Sequence, residues 1–198
     1  LSLAGCGGSS GPTIPIPADP KAAPQTELEG LFDQLSLELQ SAKPGSDSAI
    51  ELQQKLATVG SELAKRGAAA SRTRLSQIER VDGKLPLGAI EKELGTLPPI
   101  RRFDLNVHRQ IENELKGELE ATRTAIRDRE TQLETTSESE ILDRINLLSD
   151  LSALSGTGSE SQARYAAERD AILRNVSKEA EEAIRNLSLI HISEPTRP

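Results

Sequence analysis

Apolar residues recur at intervals of three and four along most of the chain, and glycine or proline closes each run, so the pattern predicts a series of amphipathic helices. The first run is Leu28, Leu31, Phe32, Leu35 and Leu39. Thr26-Glu27-Leu28-Glu29 opens it in capping-box form, and Lys43-Pro44-Gly45 stops it. A second helix starts at Asp47 or Ser48, where Ser48 and Glu51 again stand three apart, and carries Leu52, Leu56, Val59 and Leu63 at heptad spacing. Gly60 and Gly67 each weaken it by about 1 kcal/mol relative to Ala. The pattern resumes at Leu75, Ile78 and Val81 before Asp82-Gly83 ends it. This stretch reads as one long helix with a soft point near Gly67; two helices are the alternative.

Residues 84–103 change character. Pro86 suits the first turn of a short helix carrying Leu87, Ile90 and Leu94, with Gly95 at its C-terminal cap, and Thr96-Leu97-Pro98-Pro99 forbids its continuation. Residues 95–103 are therefore a candidate hinge, set against an ordinary helix connection. Asp104 opens the longest pattern, through Thr135, with Leu105, His108, Ile111, Leu115, Leu119, Ile126 and Leu133 on one narrow seam. Its other faces hold Arg123, Arg127, Asp128, Arg129 and Glu130, a solvated surface of paired charges rather than a partner site. Ser137 and Glu140 stand in box spacing ahead of Ile141, Ile145, Leu148, Leu151 and Leu154, and Gly156-Thr157-Gly158-Ser159 turns the chain. The last helix, about Glu160 to Asn186, sets Ala166, Leu173, Val176, Ala180 and Ala183 on one side. Small residues there allow close approach, which predicts an antiparallel hairpin with the preceding helix. No run alternates in the manner of a strand. The expected fold class is all-α: an elongated helical bundle or antiparallel coiled-coil-like hairpins behind a disordered N-terminal tether.

Composition narrows the chemistry. Phe32, Phe103 and Tyr165 are the only aromatic residues, and Trp and Met are absent. Any core is built from Leu, Ile, Val and Ala, which suits helix packing better than a ring-lined ligand pocket. Twenty-four basic against 31 acidic residues leave a formal net charge of −7, which argues against nucleic acid, whose binding needs a clustered basic face, and equally disfavours broad adhesion to anionic lipid. No stretch approaches the roughly 20 apolar residues of a membrane span.

Residues 7–25 are dominated by Gly, Ser, Pro and Ala, with Pro12, Pro15, Pro17, Pro20 and Pro24 spaced through them, a composition that predicts a semi-rigid spacer with too little to bury to offset its ordering. Fully extended, its 18 or so residues reach about 50 Å at roughly 3.1 Å each. Ahead of it stands Leu3-Ala4-Gly5-Cys6, which contains the only cysteine of the chain. This run resembles the lipobox of bacterial lipoproteins. The resemblance implies that the Cys6 sulfur carries a diacylglyceryl group, that a signal peptidase recognises Leu3, Ala4 and Gly5 and cuts before the cysteine, and that the new amino end is acylated. Ala4 and Gly5 are small enough for a narrow extended binding site, and Leu3 can fill an apolar pocket. Residues 1–5 are then expected to be the end of a longer signal peptide. Gly7 stands where inner-membrane retention would want Asp, so the resemblance implies the outer membrane if the source has two. At the other end, residues 187–198 resemble the translation of a transposase-end adapter used in sequencing libraries, and are expected to be non-native, leaving Asn186 as the last native residue.

The remaining chemistry is negative. His108 is the only histidine before that tail and sits on a helix seam with no serine nucleophile signature. Clustered Cys or His for zinc, an Asp-rich calcium loop and a glycine-rich phosphate cradle are all missing. Asn175-Val176-Ser177 matches the glycosylation triplet by chance within a helix. No catalytic residue, metal, cofactor or small-molecule ligand is expected. The domain organisation expected is 1–5 signal-peptide end, 6–25 lipidated cysteine and linker, 26–186 helical domain and 187–198 tail. The expected function is a lipid-anchored helical interaction or structural module of the cell envelope, not an enzyme, contacting an envelope protein or another copy of itself through helix seams. The alternative is the stalk of a larger envelope lipoprotein with an enzymatic or transport domain. A solute-binding lipoprotein is weaker, because such proteins usually fold as α/β lobes.

Overall fold

The computed structural model describes residues 14–193, with side chains through Leu187. Among these the backbone forms seven helices and no strand: α1 (Gln25–Ser41), α2 (Asp47–Ser76), α3 (Leu87–Thr96), α4 (Pro98–Phe103), α5 (Leu105–Thr135), α6 (Ile141–Ser155) and α7 (Glu160–Ser193). The fold is all-α, as the three-and-four spacing predicts. Contacts divide it into two units. Unit 1 takes the described residues up to Arg74 together with Gly95–Glu114, and unit 2 takes Leu75–Leu94 with the described residues from Leu115 onward.

In unit 1 the predicted stripes form the interior. Leu28, Phe32 and Leu35 of α1 meet Val59 and Leu63 of α2 in one buried cluster. Phe103 at the end of α4 packs edge-on against Phe32, with ring centroids 5.1 Å apart. α2 runs unbroken through both glycines. They are sites of close approach rather than soft points: a Cβ on Gly60 would come within 2.5 Å of the Phe103 carbonyl oxygen, and one on Gly67 within 2.9 Å of Ile100 Cγ1. Pro98 and Pro99 end α3 but also begin α4, because proline suits a helix's first turn, where the amide has no intrahelical acceptor. The Asp104 carboxylate then caps α5 by accepting from the amides of Asn106 at 2.8 Å and Val107 at 3.2 Å.

The linker expectation needs correction for residues 14–24. Ile14 is only 5% exposed and belongs to the unit 1 core, with Ile16 and Ala23 packed against it. The Arg66 guanidinium on α2 donates to the carbonyls of Ala23 at 2.8 Å, Pro20 at 3.0 Å and Lys21 at 2.8 Å, and Lys55 Nζ donates to the Ile14 carbonyl at 3.2 Å. A proline-rich segment can be ordered when its few apolar side chains find a groove; burial of one isoleucine contributes about 2 kcal/mol.

Helix ends show four further differences. α1 begins one residue before the expected box, at Gln25 after Pro24, and makes no side-chain cap bond. α2 is capped by Ser46, whose hydroxyl accepts from the Ala49 amide at 3.2 Å, and not by Ser48. It also ends at Ser76 rather than Asp82. Asp82 and Gly83 both adopt left-handed conformations, with φ of 48° and 75°, and close a two-residue turn in which Val81 and Lys84 exchange backbone hydrogen bonds. At the start of α6, Glu140 accepts from the Ser137 amide at 2.9 Å, half of the expected box, but the helix itself opens only at Ile141.

In unit 2, Leu148 and Leu151 of α6 and Tyr165 of α7 form a buried cluster with Ile126, Leu133 and Ile172 against it. Gly156 and Gly158 turn the chain between α6 and α7 with φ of 86° and 83°. Thr122, fully buried on the α5 seam, donates to the Leu85 carbonyl at 2.9 Å. A Cβ on Gly156 would lie 2.7 Å from the Gly88 amide nitrogen, so the first turn of α3 fits directly onto the α6–α7 turn.

Candidate functional site

Leu3, Ala4, Gly5 and Cys6, the residues that carry the lipobox resemblance, lie outside the described residues. The nearest described part of the chain to them in sequence is the segment 14–23, which runs onto α2. Asp19 shapes its turn: its side chain accepts from the Lys21 amide at 3.0 Å and its carbonyl from the Ala22 amide at 3.1 Å. The turn brings three carbonyls to Arg66, whose own orientation is held by Glu62 at 3.0 Å, one helical turn away. Lys55 is braced likewise by Glu51 at 2.6 Å. A planar guanidinium with donors in several directions suits three carbonyls in a way that a lysine cannot. Sequence reading passed over Ile14, Lys55 and Arg66. The available signal was Ile14-Pro15-Ile16-Pro17, where branched apolar residues alternate with proline inside an otherwise small and polar linker.

Unit 2 carries two other surface features. An open cleft of about 400 Å³ lies where the start of α6 faces α7, lined by Ile141, Ile172 and Val176 together with Glu138, Glu168 and Glu179. Arg144 crosses it, donating to the carbonyls of Leu133 and Thr136 at 3.4 and 3.2 Å and to Glu168 at 3.4 Å. With its guanidinium engaged by the end of α5, Arg144 acts as a structural tie. Beyond the cleft, α7 is exposed from Leu173 to Leu187. Leu173, Val176, Ala180 and Ala183 recur there at three, four and three residues, the spacing of a coiled-coil seam.

Tyr165 is a buried ionisable group of unit 2. It is 4% exposed and donates its hydroxyl hydrogen to the Glu130 carboxylate. Burial, and then the hydrogen bond to Glu130, push its pKa above the ordinary tyrosine value, against the opposing Arg164 guanidinium 4.6 Å above its ring. Its hydroxyl hydrogen-bonds to Glu130 on α5 and to Arg164 on α7, so the group ties these two helices together. His108 sits partly buried on α5 with its Nδ1 3.5 Å from Glu112 Oε2, at helical i, i+4 spacing. Among the described residues no three His, Cys, Asp or Glu side chains cluster as metal ligands would, and no helix is long and apolar enough to cross a membrane. Comparison with protein-family models, with curated proteins and with solved structures finds no match for this chain.

Proposed function

We propose that the chain is a lipid-anchored lipoprotein of the bacterial cell envelope, held through Cys6, whose helical domain serves as an interaction or structural module. The observation that carries the anchor is Leu3-Ala4-Gly5-Cys6 itself: two small residues and a leucine before the sole cysteine, followed by Gly7-Gly8-Ser9-Ser10-Gly11. No second cysteine competes for its sulfur in a disulfide. Support for an interaction module comes from the exposed apolar stripe of α7, Leu173, Val176, Ala180 and Ala183, the kind of seam through which an envelope protein or a second copy would be met. With Gly7 after the cysteine, the outer membrane is the site that this reading favours where the source has one.

The test is processing in a bacterial host from the gene with its full leader. The protein should incorporate a labelled fatty acid and partition with membranes. Cys6→Ser should abolish labelling and either release the protein or leave it with its leader uncut. A serine variant that is still cleaved and still membrane-bound would sink the reading.

A further inference from the structure

We propose that residues 14–23 are a releasable strap whose docking on α1 and α2 sets how far unit 1 can stand from the lipid on Cys6; this rests on the anchor reading above. Seven residues, Gly7–Thr13, separate Cys6 from Ile14. With the strap docked they reach at most about 25 Å, whereas an undocked chain up to Pro24 reaches about 55 Å, counted at roughly 3.1–3.3 Å per residue. Docking therefore shortens the reach by about half.

The contacts explain both the docking and its release. Ile14 is the only strap residue fully buried; Pro15, Ala18, Asp19, Lys21 and Ala22 are exposed. Four of the strap's backbone carbonyls, those of Ile14, Pro20, Lys21 and Ala23, take hydrogen bonds from two side chains on one helix, Lys55 and Arg66. Water can satisfy those carbonyls after release, and the strap pairs in no sheet and lies in no helix, so its departure breaks no backbone ladder. Pro15, Pro17 and Pro20 keep the released segment extended, which reduces the conformational freedom lost on docking again. Arg66 is the pivot because one guanidinium holds three carbonyls that the Asp19 turn has gathered.

The test uses the full chain in a Cys6→Ser background with spin labels at Ala18→Cys and Gln53→Cys, both exposed positions. The parent should show one short distance. Adding Ile14→Ser and Arg66→Gln should move most molecules to longer, broader distances, and should speed tryptic cutting after Lys21 by about 10-fold or more, because cutting there requires local release. Arg66→Gln alone keeps every core side chain and should give part of both effects with unchanged helical circular dichroism. A broad distance in the parent would overturn the proposal. So would a double variant that keeps the parent's distance and cutting rate, or release that comes only with loss of helix. Neither measurement involves a lipid, so failure here is separate from failure of Cys6 lipidation in cells.

Discussion

The carbonyl oxygen of Phe103 lies 2.5 Å from the point that a Cβ on Gly60 would occupy, so α4 and α2 meet backbone to backbone. Glycine in a helix interior normally costs about 1 kcal/mol relative to alanine. At Gly60 the contact decides otherwise, since a carbonyl cannot swing aside as a side chain can. Gly60→Ala is expected to lower stability by about 2 kcal/mol, the propensity gain being smaller than the cost of overpacking. Gly30 in α1 and Gly117 in α5 have nothing within 4 Å of that point. Gly30→Ala and Gly117→Ala should each raise stability by about 0.5–1 kcal/mol. Urea denaturation followed by circular dichroism checks all three; equal signs at Gly60 and Gly117 would refute the close-approach account.

The same pair shows what the sequence could and could not convey. Apolar spacing located the helices and most of the interior, because Leu28, Phe32, Ile111, Leu115, Leu148 and Leu151 must face inward for any bundle to form. A weak spot near Gly67 was also a fair reading of propensity. What spacing cannot carry is the identity of the partner across the contact: nothing local to Gly60 or Gly67 says that Phe103 and Ile100 will pack there. Caps failed for a related reason. Thr26 and Ser48 sit in box spacing, yet Pro24 and Ser46 stand at the cap positions, each two residues earlier. The docked strap is the least legible part of the chain, because its proline content points to a spacer and only Ile14 and Ile16, set between the prolines, point to a packed segment.

Gly156 combines two constraints. Its φ of 86° and ψ of 147° belong to a region that essentially only glycine occupies, and its Cα side is closed by Gly88. Gly156→Ala is expected to destabilise by about 3 kcal/mol, while Gly158→Ala, with a left-handed φ of 83° but open space around it, should cost about 1 kcal/mol. Thermal unfolding of both variants checks the order, and a Gly158 variant worse than the Gly156 variant would contradict the contact with Gly88.

Tyr165 is the sole tyrosine and the chain has no tryptophan, so the near-ultraviolet phenolate band reports this one group. Its folded pKa is raised above 10.0, chiefly by burial. Stability from the protonated phenol is therefore complete below pH 10.0 and declines as pH rises through the higher folded value. Tyr165→Phe should remove this alkaline decline and, at neutral pH, cost about 1 kcal/mol for the lost hydrogen bond to Glu130. Glu130→Gln should lower the titration midpoint only in part, because burial is the larger cause. A midpoint at the free-tyrosine value in the parent would exclude the buried placement.

Glu114 offers the opposite sign at the surface. The Arg72 guanidinium, bonded at 2.8 Å, holds its carboxyl below the ordinary value of 4.5. The stabilisation is present above pH 4.5 and lost as pH falls through the lower folded pKa. Both side chains are about half exposed, so water and salt screen the pair. Glu114→Gln is expected to cost no more than about 0.5 kcal/mol at neutral pH and nothing in acid, measured by urea denaturation at the two pH values. A loss that persists unchanged in acid would mean that packing, and not charge, holds this contact.

The far half of α7 separates scaffold from surface. Tyr165 and Ile172 tie the near half to α6, but every described residue from Leu173 to Leu187 is exposed, including Ile184 at 67% and Leu187 at 60%. A side chain that stays in water on folding contributes little to stability, whatever its hydrophobicity. Truncation after Glu179 keeps Val176 and the whole cleft, and should therefore change the unfolding free energy of the remainder by less than about 1 kcal/mol. Truncation after Arg164 removes Tyr165 with its buried ring and should unfold unit 2. Denaturant titration of the two truncated chains distinguishes these outcomes. If the shorter cut were already as damaging as the longer one, the α7 stripe would be part of the scaffold and could not serve as the interaction seam of the proposed module.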